Sequence, residues 1–491
     1  MAGMHDKSGN SSGKKDRFQR IMGILVVCAI AVFVIAAILE RIELPERPKK
    51  PAAEESGQTS LAGEVADQQT GQDGISGAQT QQPDDQTGTG SEETDPEPIV
   101  KENTATIGAV GDVLLHDETI KSGYDKETDS YNYDGIYKWF SKYIEPLDYA
   151  VANLEVTLCT DKMGYPYAGY PCFNSPDAIV DAVKNAGFDM LLTANNHAND
   201  TGSKGFMRTQ EVIVDRGLEH IGTRLEQEDK NYVIKDLNGI QVGMICYTYS
   251  SGLSNAGHFM LNNSPLTAET SPLINAFTYG NLSAFYDKLS GEMEQMRAEG
   301  AEAIVLFIHW GKEYITTPSD TQKDMAQELC NLGIDVIVGN HAHVVQPVEL
   351  LTNETDETRR TLCLYSLGNS ISNFFKTATF PVHTEDGMLF SFTFAEYSDG
   401  TVLLESADIM PTWVYRPVED DGVRRFYIMT LDDELEDWQT AMETDDETLV
   451  LCEESYARTT EIVSESLAEA NEWLSQHQAE VEAALGVVPA A

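Results

Sequence analysis

The stretch "NLGIDVIVGNHAH" (331–343) leaves a helical pattern, turns at a glycine, runs through an aspartate and four apolar residues, and ends on polar side chains. "NAGFDMLLTANNH" (185–197) has the same order. Each reads as a helix end, a Gly turn, a buried strand and a histidine at the strand's C-terminal end. Working outward, "TATIGAV" (104–110), "YAVA" (149–152), "DMLLTA" (189–194), "EAIVLFI" (302–308) and "DVIV" (335–338) are predicted strands separated by helical patterns. That alternation predicts an α/β domain. Asn238-Gly239 between two β-type runs predicts a hairpin, so the sheets are not purely parallel.

Two helices are marked by their ends. In 174–187, Ser175 is a candidate cap, Pro176 suits the first helical position and Gly187 ends the helix. In 319–333, Ser319 or Asp320 caps and Gly333 stops.

Each strand delivers a ligand type at its C-terminal end: Asp112, then Asn153 and Glu155, then Asn196 and His197, then His309, then Asn340, His341 and His343. In open α/β sheets that edge is where ligands bind. A lone histidine after a strand is more often a hydrogen-bonded core or surface residue. Here four of the ten histidines fall at one edge. Mixed nitrogen and oxygen donors suit Zn, Mn or Fe better than Ca, so one or two divalent ions are expected. If "VGNHAHVVQP" (338–347) stays extended, His341 and His343 project to one side. Lys204, Arg208 and Lys312 lie near the predicted edge and can receive an anionic group, although solvated surface is their default reading.

The ends of the chain have a different character. Residues 1–20 form a basic tail, and 21–39 is an unbroken apolar run, about 28 Å long as a helix. The expectation is one membrane span, with the N-terminus cytoplasmic and the main domain outside. Residues 40–102 are expected to be a disordered acidic linker; 51–100 hold no Lys, Arg or aromatic residue. A main domain over 103–418 and an acidic helical extension over 419–491 complete the organisation. The 33 basic and 80 acidic residues give −47, which argues against nucleic acid as a partner. The seven cysteines show no framework spacing; Cys159 and Cys172 are able to pair outside the cytoplasm, but the set reads mainly as small buried residues.

"GDVLLHD" (111–117), "ANLE" (152–155), "NNHANDTG" (195–202), "HWGKEY" (309–314), "GNHAHVVQP" (339–347) and "YSLGNSISNF" (365–374), in that order, resemble the bacterial poly-γ-glutamate capsule synthesis family, CapA. That family looks like a divergent branch of the calcineurin-like metallophosphoesterases. The resemblance covers 103–418 and implies a four-layer α/β/β/α sandwich with metals at the strand ends. It implies Asp112, Asn196, His309, His341 and His343 as metal ligands and His197 as the catalytic group holding a substrate oxyanion; Glu155 is a further candidate ligand. Asn153, Lys204, Arg208 and Lys312 are the candidate substrate contacts. Two departures stand out: Leu114 occupies the usual place of a second ligand after the first aspartate, and Asn153 with Glu155 replaces the bridging aspartate. A ligand-poor site near Asp112 and His343 is therefore expected. By resemblance the protein acts in synthesis or export of an anionic envelope polymer, with the polymer or its synthase membrane subunits as partners. The alternatives are a metal-dependent hydrolase of phosphoesters or γ-glutamyl amides, and a non-catalytic anchored interaction domain.

Overall fold

A computed structural model describes residues 98–431 and 444–487. The expected span (21–39), the tail before it and nearly all of the linker lie outside the described residues. Among the described residues, no helix is long and apolar enough to cross a membrane.

The first sheet contains β1 (Lys101–Val113), β2 (Tyr149–Leu154), β3 (Met190–Leu192) and β4 (Glu219–Ile221), each parallel to the next. The second sheet contains β5 (Tyr232–Leu237), β6 (Ile240–Ser250), β7 (Ala276–Thr278), β8 (Ala303–His309), β9 (Val336–Asn340), β10 (Val348–Thr352) and β11 (Arg360–Leu364), in the order β7-β6-β8-β9-β11-β10 with β5 on β6. The chain then returns to the first sheet. There β12 (Asn369–Ile371) pairs parallel with β1, and β13 (Asp386–Tyr397), β14 (Val402–Tyr415) and β15 (Tyr427–Thr430) extend the other side antiparallel.

Strand alternation decides what each sheet covers. In β8, Val305 and Phe307 enter a core shared with β1, while Ile304, Leu306 and Ile308 face away. Those three pack on α3 (Leu282–Ala298) and α4 (Asp320–Leu332). In β3, Met190 and Leu192 enter the shared core and Leu191 turns outward. There it meets α1 (Ala178–Asn185) and α2 (Gly202–Asp215). Three apolar cores between successive layers give the order helices, sheet, sheet, helices. Each fully buried Val, Leu, Ile or Phe in them stabilises by roughly 1.5–3 kcal/mol, an upper estimate before chain entropy.

The two repeated stretches fold alike. Asp189 and Asp335 each accept a hydrogen bond from the backbone of the preceding, adjacent strand, from Ala150 N (2.8 Å) and Ile304 N (2.7 Å). Gly187 and Gly333 both take positive φ, 103° and 91°, which a side chain would strain. Ser319 caps α4 in a reciprocal box with Gln322, as its position predicts. The Asn238-Gly239 hairpin joins β5 and β6, with both residues at positive φ. Ser175 does not cap: α1 starts at Ala178 after Asp177, and Pro176 precedes the helix.

Beyond 444, α5 (Asp446–Leu485) lies against β14 and β10 and sends Val463, Leu467 and Ala470 into the core between the sheets. Cys159 and Cys172 are both free, the first buried and the second exposed, so the possible pair does not form.

Candidate metal centre

Strand register sets the centre. Asp112 near the end of β1 stands opposite Asn153 of β2 and Asn369 of β12. His309 ends β8 and Asn340 ends β9, in register with each other. Glu155 follows β2, and Asn195 to His197 follow β3. Gly339 lets β9 approach this closely, since a Cβ there would lie 2.0 Å from the Tyr365 carbonyl oxygen.

His341 and His343 are not extended. Their φ values are +94° and +55°, a region non-glycine residues rarely occupy, and the strand stops at Asn340. The expected period-two projection therefore does not aim them; two left-handed residues do. Such strain persists only where surrounding structure enforces it, and it clusters at functional sites.

The side chains form two sets of three, each within 4.8 Å, that share Glu155: Glu155, His309 and His341, and Asp112, Glu155 and His343. His309 Nε2 lies 3.3 Å from Glu155 Oε1, 3.1 Å from His341 Nδ1 and 2.7 Å from Asn196 Oδ1. Asn196 thus adds a fourth donor to the first set. His343 Nδ1 lies 3.0 Å from Asp112 Oδ2 and 3.0 Å from Asn369 Oδ1. Leu114 is fully buried in the outer apolar core of the first sheet and offers nothing.

Glu155 is fully buried, and neither carboxylate oxygen receives a hydrogen bond from the described residues. Burial first, then the neighbouring Asp112 charge, push its carboxyl well above the ordinary range. Burial also opposes ionisation of Asp112, but the His343 hydrogen bond and charge outweigh it and hold Asp112 low. Burial lowers His309 to about 3 and His341 well below its ordinary value, so both imidazoles are neutral with lone pairs to give. Burial acts the same way on His343, but contact with Asp112 raises it. Two buried carboxyls beside neutral imidazoles are costly alone, and a divalent cation removes that cost. The donors fit such an ion, of the Mn, Zn or Fe type.

Other expected residues take different places. Asn153 is buried among the candidate ligands: its amide donates to Asp112 Oδ1 (2.7 Å) and lies 3.4 Å from His309 Nδ1. Arg208 is spent on Asp177 through two bonds of 2.7 and 2.6 Å and on the Leu158 carbonyl, so it is not free to receive an anion. Lys204 and Lys312 are exposed. His197 sits beside the centre with Nδ1 2.7 Å from Asp200 Oδ2 and its ring edge-on to Phe173. A third group, His383, Glu385 and Asp386, is explained by ion pairs: Asp386 is taken by Arg458, and Glu385 by His383.

Asn369 in "LGNS" (367–370) carries no local mark of its place, because its pairing with Asp112 spans most of the domain. The same holds for the aromatic wall, in which Tyr249 lies 4.8 Å from the His341 ring and Tyr314 lies 5.9 Å from that of His343. No local pattern marks either tyrosine.

The family model described as "Bacterial capsule synthesis protein PGA_cap" matches residues 106–374. The chain belongs to that family. Every candidate ligand named above lies inside the PGA_cap match, whereas β13 to β15 and α5 lie beyond it. Among curated proteins, the chain is 29% identical over 273 residues to "Capsule biosynthesis protein CapA" of Bacillus anthracis, covering 54% of this chain and 59% of that one. It is 26% identical over 285 residues to "PGA biosynthesis protein CapA" of Bacillus subtilis, covering 57% and 67%. The match thus spans under two thirds of the first relative's length. Among solved structures, the sulfate thiohydrolase SoxB of Thermus thermophilus in complex with glycerol aligns over 62% of this chain and 56% of its own, at 13% identity and a TM-score of 0.35. That likeness is too slight to bear on the site.

Proposed function

We propose that this protein acts in synthesis or export of an anionic cell-envelope polymer, poly-γ-glutamate or a similar one. In this reading residues 21–39 anchor it in the cell membrane, the N-terminus is cytoplasmic, and the described domain stands outside. Its partners are the polymer or the membrane subunits of its synthase. PGA_cap membership and two relatives named for capsule or PGA biosynthesis support the process.

The observation that carries the chemistry is Glu155, shared between two candidate ligand sets, with neither oxygen hydrogen-bonded among the described residues. Divalent ions held there would supply Lewis-acid charge to a carboxylate, amide or phosphoryl oxygen. They would also answer an objection, since a chain of −47 otherwise repels an acidic polymer. This chain's residues then do the rest. Asn153 fixes Asp112 against the ring of His309. Asp200 fixes the orientation of His197 beside the centre. Tyr249 and Tyr314 limit access of water.

The His197–Asp200 pair favours a second reading, a metal-dependent hydrolase or transferase acting on phosphoesters or γ-glutamyl amides, because an oriented imidazole serves proton transfer. The test uses the full chain in detergent, with and without a chelator. Poly-γ-glutamate should be retained, or turned over, only with metal present; equal retention in both conditions contradicts the metal role.

A further inference from the structure

Immediately after β14, Arg416 carries a half-buried positive charge on the flank of the metal centre. We propose that Arg416 receives a pendant carboxylate of the anionic polymer while another unit of the same polymer lies at the metal centre. The proposal rests on the polymer reading above, and it assigns the cationic contact that Arg208 does not supply.

Position comes first. Arg416 Nη1 donates to Asn373 Oδ1 (3.0 Å), and the backbone N–H of Asn373 donates to His116 Nδ1 (3.2 Å). The next residue, Phe374, packs on the His116 ring at 4.2 Å and lies 6.1 Å from the ring of His343. One residue further, the ring of Phe375 lies under the guanidinium. Residues 373–375 therefore link this cation to the half of the centre that holds His343 and Asp112.

Chemistry selects the class. Burial first, then the like charge of Arg424, pull the Arg416 guanidinium down to about 10. Arg424 donates to the Arg416 backbone carbonyl, which keeps the two cations together. The two acids whose charge favours Arg416 are engaged elsewhere: Glu118 lies 3.5 Å from Arg424, and Glu385 lies 2.9 Å from His383. Nε and Nη2 of Arg416 have no acceptor among the described residues and are not sealed from solvent. A half-buried charge without a counter-ion, beside another of the same sign, is costly, and an anion removes that cost. The planar fork of a guanidinium matches the two oxygens of a carboxylate. In a chain of −47, an acidic polymer needs such local cations. Arg416 and Arg424 both lie beyond the family match, so membership does not supply this contact.

The test titrates a short γ-glutamyl oligomer into the metal-loaded full chain in detergent, for the parent, Arg416→Gln and Arg416→Lys. Gln can still donate to Asn373 Oδ1, so the link toward His116 is kept while the charge is lost. Both variants should keep the parent's metal content. At low salt Arg416→Gln should bind the oligomer roughly tenfold more weakly, and that gap should narrow as salt is raised. Arg416→Lys, which keeps the charge without the fork, should lose roughly threefold. Oligomer binding unchanged in Arg416→Gln, or a loss of equal size at every salt concentration, overturns the carboxylate contact and leaves the polymer reading standing. If Arg416→Gln fails to fold, Arg416→Lys decides, and unchanged affinity there overturns the contact. A metal-loaded parent that binds no oligomer overturns the polymer reading and the proposal with it.

Discussion

Replacing Glu155 by Gln should have opposite effects with and without metal. The side chain is fully buried, its oxygens receive no hydrogen bond from the described residues, and Asp112 stands beside it. Folding without metal therefore forces this carboxyl to take up a proton or to stay charged at greater cost. Taking a proton at pH 7 onto a group whose ordinary value is 4.5 costs at most about 3 kcal/mol, at about 1.4 kcal/mol per pH step. The folded-state value is raised, so the cost is absent below the unfolded value and grows as pH rises above it. Gln keeps the shape and never ionises. The chelated variant should thus be more stable than the chelated parent, by up to about 3 kcal/mol at pH 7, and the two should converge near pH 4. With metal in excess the order reverses: binding at about 1,000 times Kd adds about 4 kcal/mol to the parent. The variant has lost the bridging ligand and gains far less. Calorimetric melts of both proteins, with chelator and with manganese or zinc, read this crossing directly. A variant less stable than the parent in chelator, with the same metal-induced gain, would refute the reasoning.

Two further substitutions separate scaffold from site. His341→Gly should weaken metal binding and cost less metal-free stability than His341→Ala, because glycine accepts φ +94° without strain while both variants lose the same buried ring; chelated melts and a metal titration check both halves. Arg208→Ala should cost roughly 1–3 kcal/mol of stability through the lost Asp177 pair while leaving metal content unchanged, which a denaturant titration with elemental analysis will show.

Much of this was legible where the signal is local. The capping box at Ser319, the Gly333 stop and the Asn238-Gly239 hairpin depend on neighbours in the chain, and each stands as expected. The ligand types at five strand ends were legible because a strand's end is visible where an apolar run stops. What failed depends on distant pairing or on unusual backbone. Asn153 reads as a free amide until β1 is laid beside β2 and Asp112 takes it. Arg208 reads as a free cation until α2 packs on α1 and Asp177 meets it. The positive φ values of His341 and His343 contradict the propensity of a run that looks extended, and only the enclosing fold enforces them. The sharing of Glu155 between two sets was only half visible: the sequence offers the carboxylate, and the meeting of two sheets gives it two tasks.

The central claim is a divalent centre in which Glu155 joins two halves of different charge: neutral His309 and His341 with the Asn196 oxygen on one side, and Asp112 paired to His343 with the Asn369 oxygen on the other, where Leu114 adds no donor. A manganese or zinc titration of the chelated full chain in detergent, followed by calorimetry, tests it most directly. The expected result is two equivalents of unequal affinity, one that falls away in Asn196→Ala and one that falls away in Asp112→Asn. Absence of any specific uptake by a folded parent, or uptake unchanged in Glu155→Gln, would contradict the account.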